Sequence, residues 1–290
     1  MLSATSKRVF GGSNFVSTIF LERKLRAHVV RRDRLVYDSR FAPPGKKPNQ
    51  VAHLFVQLQG TFAPQGGTPS SGRQAWVLAE SEFDRVMPGS RTFQSFGDQA
   101  MVVEIRVPVG DIHRPAGIDH GPIELPDTVW SAYEALEAAP TEPALYALVH
   151  RLSDAGILSK DLAASVVTEE PERFARLWTV MKPLYEEMST SASLKQIATI
   201  ARLSLRQLGR DLGDLSKTFG LFGGGFRDAS RVIRLRAATL FLSAPATTPS
   251  DVARAVGYGS LDAMGRAFRD ANLPSPSVVQ EAVRFRPSAQ

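Results

Sequence analysis

The chain contains no cysteine. That excludes disulfides, thiolate metal sites and cysteine nucleophiles, and it fits a reducing compartment. No G-x-S-x-G motif, phosphate loop or dinucleotide fingerprint occurs, so the hydrolase, NTPase and dehydrogenase chemistries lack their marker residues. No apolar run approaches the roughly 20 residues needed to cross a membrane. Residues 1–20 carry only short apolar pieces broken by Gly11-Gly12-Ser13-Asn14, without the continuous stretch of a signal peptide. The expectation is a soluble, cytoplasmic protein with no membrane partner. An apolar content of 43% argues against disorder, and 290 residues suffice for about two domains, each with its own core.

Charge is present but unevenly spread. From Ser193 to Gln290 there are 14 Lys/Arg against 7 Asp/Glu, whereas the rest holds 21 against 22. The whole positive excess sits in the last third. Such a bias attracts polyanions through phosphate contacts and counterion release; the plainer alternative is a solvated basic face.

To about Pro122 the chain reads as strands. Leu25–Val30, Leu35–Tyr37, His53–Leu58, Ala75–Leu78 and Met101–Val107 are short β-branched or aromatic runs. The clusters Ala42–Gly45, Ala63–Gly72 and Met87–Ser90 separate them, which argues for a small barrel or sandwich. Trp76, Phe55, Phe62, Phe93 and Phe96 either line a pocket in it or form plain core. Beyond Pro126 the spacing predicts helices at Thr128–Ala138 (Asp127 as N-cap), Glu142–Ser153, Ser159–Val167 and Pro171–Met188.

The last third says one thing twice. Ile197-Ala198 is echoed 55 residues on by Val252-Ala253, and Ser204–Leu212 is echoed 56 residues on by Ser260–Phe268. Each copy reads as a short helix, a turn and a second helix capped by serine. Leu205, Leu208 and Leu212, and Leu261, Met264 and Phe268, fall at i, i+3 and i+7 and predict one buried stripe. Arg206, Gln207 and Arg210 then face outward, as do Asp262, Ala263, Arg266 and Arg269. Arginine suits guanine or phosphate, glutamine suits adenine, and an aspartate accepts from cytosine. An Asp262–Arg266 pair at i, i+4 is the plainer reading of that carboxylate. The first helices, Leu194–Ala201 and Pro249–Val256, place Ser193 and Ser250 at cap positions. Arg231–Ser243 lies between the units and is apolar enough to hold both. Two recognition helices on one side of B-DNA must sit about 34 Å apart, which a rigid helix secures better than a loop.

At these residues the chain resembles the AraC/XylS family of transcription regulators, over about 115 C-terminal residues. Arg234-Leu235-Arg236-Ala237-Ala238, Leu242, the run Val252–Ser260, then Met264–Arg269, and finally Ser275-Pro276 match its signature. The resemblance implies two helix-turn-helix units joined by a helix, and in many members an N-terminal cupin-like β-barrel that senses an effector, followed by dimerising helices. It carries base-facing roles onto Arg206, Gly209 and Arg210, and onto Asp262, Ala263, Gly265 and Arg266. This sequence departs from the family pattern in about six extra residues around Gly220–Phe226, read as a loop lengthening the first unit, and in its glycines at 209 and 265. Metal-binding cupins place two histidines one residue apart on a strand, with a carboxylate and a later histidine. His28, His53, His113, His120 and His150 do not, and the cluster Asp111, His113, Asp119 and His120 reads as a polar loop.

The expected fold is therefore α+β. A cupin-like sensor barrel would span residues 1–122, a helical dimerisation segment 123–170 and a double helix-turn-helix domain 171–290. The expected function is a non-enzymatic, sequence-specific transcription regulator, an activator by family precedent. It would bind double-stranded DNA through Ser204, Arg206, Gln207, Arg210, Ser260, Asp262, Arg266 and Arg269, on an asymmetric site with more base contacts from the first copy. Expected partners are RNA polymerase, a second copy and a small-molecule or protein effector; no cofactor or metal is expected. The alternatives are an interaction protein with a degenerate DNA-binding domain and a cupin-type enzyme.

Overall fold

The computed structural model describes residues 1–43, 51–64, 67–79, 92–113, 121–165, 171–188, 193–221 and 225–284. Pro44-Gly45, Gln65-Gly66, Met87–Ser90, Asp119, His120, Val166-Val167 and Phe222–Gly224, all part of the sequence reading, lie outside them.

The chain opens with a hairpin that the sequence reading did not foresee. β1 (Leu2–Phe10) pairs with β2 (Ser13–Leu21), Leu2 opposite Leu21 and Phe10 opposite Ser13. Alternate residues Leu2, Ala4 and Ser6 point inward, but two of the three are small or polar, so no apolar run shows. Gly11 and Gly12 close the turn at φ 57° and 77°, the paired positive values that a two-residue hairpin loop requires. Gly11 is fixed a second way: a Cβ there would lie 2.2 Å from Cγ2 of Thr247.

β3 (Arg26–Asp33), β4 (Tyr37–Asp38), β5 (Val51–Pro64), β6 (Ser70–Ser71), β7 (Gln74–Ala79), β8 (Phe93–Pro108) and β9 (Gly121–Pro122) complete one antiparallel sheet, ordered β1-β2-β3-β8-β5-β7-β9. Of the five strand runs expected from the sequence, His53–Leu58, Ala75–Leu78 and Met101–Val107 lie within β5, β7 and β8, Leu25–Val30 overlaps β3 from Arg26 on, and Leu35–Tyr37 ends in β4. β5 and β8 are longer than expected, because register shifts at Gln57/Gln59 and Gln59/Thr61 bend the pair without ending it.

The sheet's two faces differ in chemistry, as a period of two requires. One carries Ala27, Val29, Leu54, Val56, Val103 and Ile105, all buried. It packs on α1 (Asp127–Ala138), α2 (Glu142–Asp154) and α3 (Lys160–Ala164) through Val129, Tyr133, Leu136, Leu145, Leu148 and Leu162. Asp127 is the first residue of α1 and not its cap; Pro126 holds that place. The other face carries Arg26, His28, His53, Glu104 and Arg106 near β3, and an aromatic cluster of Phe55, Phe62, Phe93 and Trp76 farther along. The Phe62 ring stacks 4.7 Å from Trp76 and 4.9 Å from Phe93, so these rings are core. Phe96 packs elsewhere, against the C-terminal helices.

Those helices are α4 (Glu172–Glu187), α5 (Leu194–Ala201), α6 (Leu205–Thr218), α7 (Phe226–Phe241), α8 (Pro249–Ala255), α9 (Leu261–Asp270) and α10 (Pro276–Val283). They do not keep a core to themselves. Leu2, Ala4, Ile19 and Leu21 join Phe174, Leu177, Trp178 and Leu208 in one cluster. Phe15, Leu35, Val36 and Phe41 join Leu235, Phe241, Met264 and Phe268 in another. Polar contacts follow the same seam: Trp178 Nε1 donates to Ser3 O at 3.0 Å, Val36 N to Ser243 Oγ at 2.9 Å and Ala246 N to Gly11 O at 3.2 Å.

Candidate nucleic-acid interface

The two copies fold alike down to individual bonds. In the first, α5 ends at Arg202, with Leu203 N donating to Ala198 O at 2.9 Å. In the second, α8 ends just before Gly257, with Tyr258 N donating to Ala253 O at 2.8 Å. Both are the six-to-one closure of a helix that stops at a left-handed residue. That residue is Gly257 in the second copy (φ 80°) and Arg202 in the first (φ 54°). The second helix of each copy is capped as expected: Ser204 Oγ accepts from Gln207 N at 3.2 Å, and Ser260 Oγ from Ala263 N at 3.1 Å. Ser193 caps α5 in a reciprocal box with Gln196. Ser250 does not cap α8; Thr248 does, boxed with Asp251, because Pro249 takes the first helical position that needs no N–H.

The buried stripe differs from the expected one at its first position in both copies. Leu208, Leu212 and Leu215 are buried in α6, and Met264 and Phe268 in α9, but Leu205 is 58% exposed and Leu261 36%. Each follows its cap directly. A helical side chain leans toward the N-terminus, so at this position it projects past the cap and clears the preceding helix. The residues added after the first unit go partly into α6 itself, which has 14 residues against 10 in α9.

The outward side chains fall into two states. Gln207 is partly buried and held, its Nε2 donating to Asp211 Oδ1 at 2.7 Å while its Oε1 accepts from Arg210. Arg210 is exposed but tethered, and Gln207 acts as a strut more than as a free reader. Arg206, Asp262, Arg266 and Arg269 are exposed, and none of the four makes an ion pair among the described residues. The expected Asp262–Arg266 pair does not form, although Arg254 and Asp251 on α8 do pair, at 2.7 Å. Asp262, Gly265, Arg266 and Arg269 line a groove of about 580 Å³ with Leu261, Leu273 and the start of α10.

The connecting helix α7 fixes the second unit from behind. Arg234 donates from Nε to Val256 O at 2.9 Å and from Nη2 to Gly257 O, and its guanidinium lies 4.8 Å over the Tyr258 ring. The sheet reaches both units as well. Arg8 on β1 donates to Ala255 O at 3.0 Å, at the end of α8, and Arg26 on β3 donates to Gly220 O, just past α6.

The polar face of the sheet carries a cluster of ionisable side chains. His53 Nδ1 lies 2.6 Å from Glu104 Oε1, and Arg106 Nη2 lies 3.1 Å from the same oxygen. Burial opposes the Glu104 charge, but Arg106 and the His53 hydrogen bond outweigh it and hold the carboxyl well below its usual range. His28, hydrogen-bonded to Ser17, is pushed down by burial to about 4. Among the described residues no group of three or more His, Cys, Asp or Glu is placed to hold a metal ion. Asp111 accepts from Ser159 Oγ at 2.6 Å and serves the start of α3. No described helix is long and apolar enough to cross a membrane.

The fold and site together define a β-sheet joined to a double helix-turn-helix. No family model and no curated protein matches the chain. Solved structures similar to it include ToxT from Vibrio cholerae with an unsaturated fatty acid bound, at 11% identity over 93% of this chain and 99% of that one, TM-score 0.39. A 1.65 Å ToxT structure matches at 11% over 88% and 98%, TM-score 0.37. CuxR, described as an AraC-like transcriptional activator, matches at 12% identity over 77% and 80%, TM-score 0.35. That description names the family which the C-terminal residues resemble.

Proposed function

We propose that the chain is a transcription regulator that binds double-stranded DNA in a sequence-specific way, with α6 and α9 in successive major grooves. One observation carries the reading. Two copies share the same turn, serine cap and buried anchor, and both present exposed arginines from the one part of the chain with excess positive charge. Arg206, Arg266 and Arg269 supply free guanidinium groups, Arg210 a tethered one, and Asp262 a free acceptor for cytosine N4. Ser204 and Ser260 act as caps that aim the helices.

The roles of the remaining parts are proposed with it: residues 1–122 sense an effector, 123–170 support self-association and 171–290 contact DNA and RNA polymerase, with activation as the outcome. No enzymatic step is assigned. Selection of bound DNA from a random pool, followed by footprinting, tests the reading. Use of both units protects close to two helical turns; a single unit protects about half of that. Binding without any enriched sequence would favour the interaction-protein alternative, to which the glycines at 209 and 265 lend support.

A further inference from the structure

Leu205 and Leu261 stand 56 residues apart at the same place in the repeat, directly after the capping serines, and both are exposed. The other anchors of these helices are buried, so the exposure belongs to this position and not to loose packing. One turn further on, at i+4, both copies carry glycine: Gly209 after Leu205 and Gly265 after Leu261. Neither glycine is required by its surroundings, because a Cβ at either would meet nothing within 4 Å. A helical side chain at i+4 leans back over residue i. Glycine there leaves a bare notch beside each leucine. In the second copy that notch opens into the groove shared with Asp262, Arg266 and Arg269.

We propose that each leucine and its glycine notch form a receptor for the 5-methyl group of thymine. This rests on the DNA-binding reading. The N-terminal residues of a recognition helix are those that meet base edges, and the thymine methyl is the apolar feature of the major groove. Exposed apolar groups flanked by free arginines fit a polyanion that carries methyl groups between its phosphates: Arg206 adjoins Leu205, and Arg266 and Arg269 share the groove with Leu261. The two units would each require a thymine at a fixed offset from the bases read by arginine.

The test uses the full chain and the sequence enriched from a random DNA pool. Each thymine is replaced in turn by deoxyuridine, which differs only by the missing methyl, and affinity is measured at fixed salt. One thymine per half-site should weaken wild-type binding about three- to fivefold, the worth of one buried methyl. Leu205→Ala and Leu261→Ala should each abolish the response in their own half-site, and Leu→Met variants should keep it. Gly209→Gln and Gly265→Gln, which fill the notch, should also abolish it. A flat deoxyuridine scan overturns the inference while leaving DNA recognition intact. The same response in wild type and alanine variants overturns it too. Loss of self-association by the alanine variants with an unchanged methyl response assigns the leucines to a protein contact and overturns it. Failure to enrich any sequence overturns both this inference and the reading beneath it.

Discussion

Asp262 and Gln207 reverse the parts that spacing assigned to them. At i, i+4 an Asp and an Arg are within reach of each other, so the sequence favoured an Asp262–Arg266 pair; the structure leaves both outward and unpaired, lining the same groove. Gln207, expected to read adenine, is already committed to Asp211 and Arg210. Arg266→Ala is therefore expected to cost about 1–3 kcal/mol at a specific site, measured by gel-shift titration at fixed salt. Gln207→Ala should act first on the stability of α6, because it leaves Asp211, only 8% exposed, without its donor. Unchanged affinity in Arg266→Ala removes that residue from the interface. His28 supplies a pH dependence. Its folded pKa of about 4 lies below the unfolded value of about 6.5, so the unfolded chain binds the extra proton between those limits. Stability is then full above about pH 6.5 and falls as the pH drops toward 4; Glu104, held below its ordinary range, extends the loss at lower pH. Urea melts at pH 7.5 and 5 should differ by on the order of 2 kcal/mol, and His28→Gln should flatten the difference.

Helix ends decide the elements. The helices α5, α6 and α9 carry the caps that the sequence pattern announced, since a serine followed by an apolar period is a local signal needing no tertiary information. Ser250 misled because the proline beside it shifts the start of α8 back to Thr248. Thr248→Ala should cost about 1 kcal/mol in a thermal or urea melt, and Ser250→Ala close to nothing. Gly209→Ala and Gly265→Ala should each stabilise by about 0.5–1 kcal/mol, because helical glycine is unfavourable and no neighbour opposes a Cβ. A loss of stability in either would mean that the notch is occupied in the folded protein. The hairpin β1–β2 escaped notice because its inward positions include Ala4 and Ser6, whose burial comes from α4 and not from hydropathy.

The whole molecule is joined along a seam that the sequence pattern does not mark. Two of its cores mix strands from the first 41 residues with helices beyond 171, and arginines from β1 and β3 reach the ends of α8 and α6. A fragment of residues 171–290 would expose Leu177, Trp178, Phe241 and Leu242 where the sheet now covers them. It should melt at lower denaturant than the full chain, and the full chain should unfold in one transition followed alike by tryptophan fluorescence and far-ultraviolet circular dichroism. Two separated transitions would contradict the shared cores. The seam also means that a change in the sheet has a short mechanical path to both helix-turn-helix units.

Spacing within about a dozen residues was enough to reveal the repeat, the serine caps of α5, α6 and α9, the turns and the buried residues at the later anchor positions. The sequence by itself also determined where positive charge accumulates. Which outward side chains are free is a matter of long-range packing. Whether Gln207 is a reader or a strut, whether Asp262 is paired, and whether Leu205 and Leu261 are buried depend on what stands across from them, and that is set by the packing of helices distant in the chain.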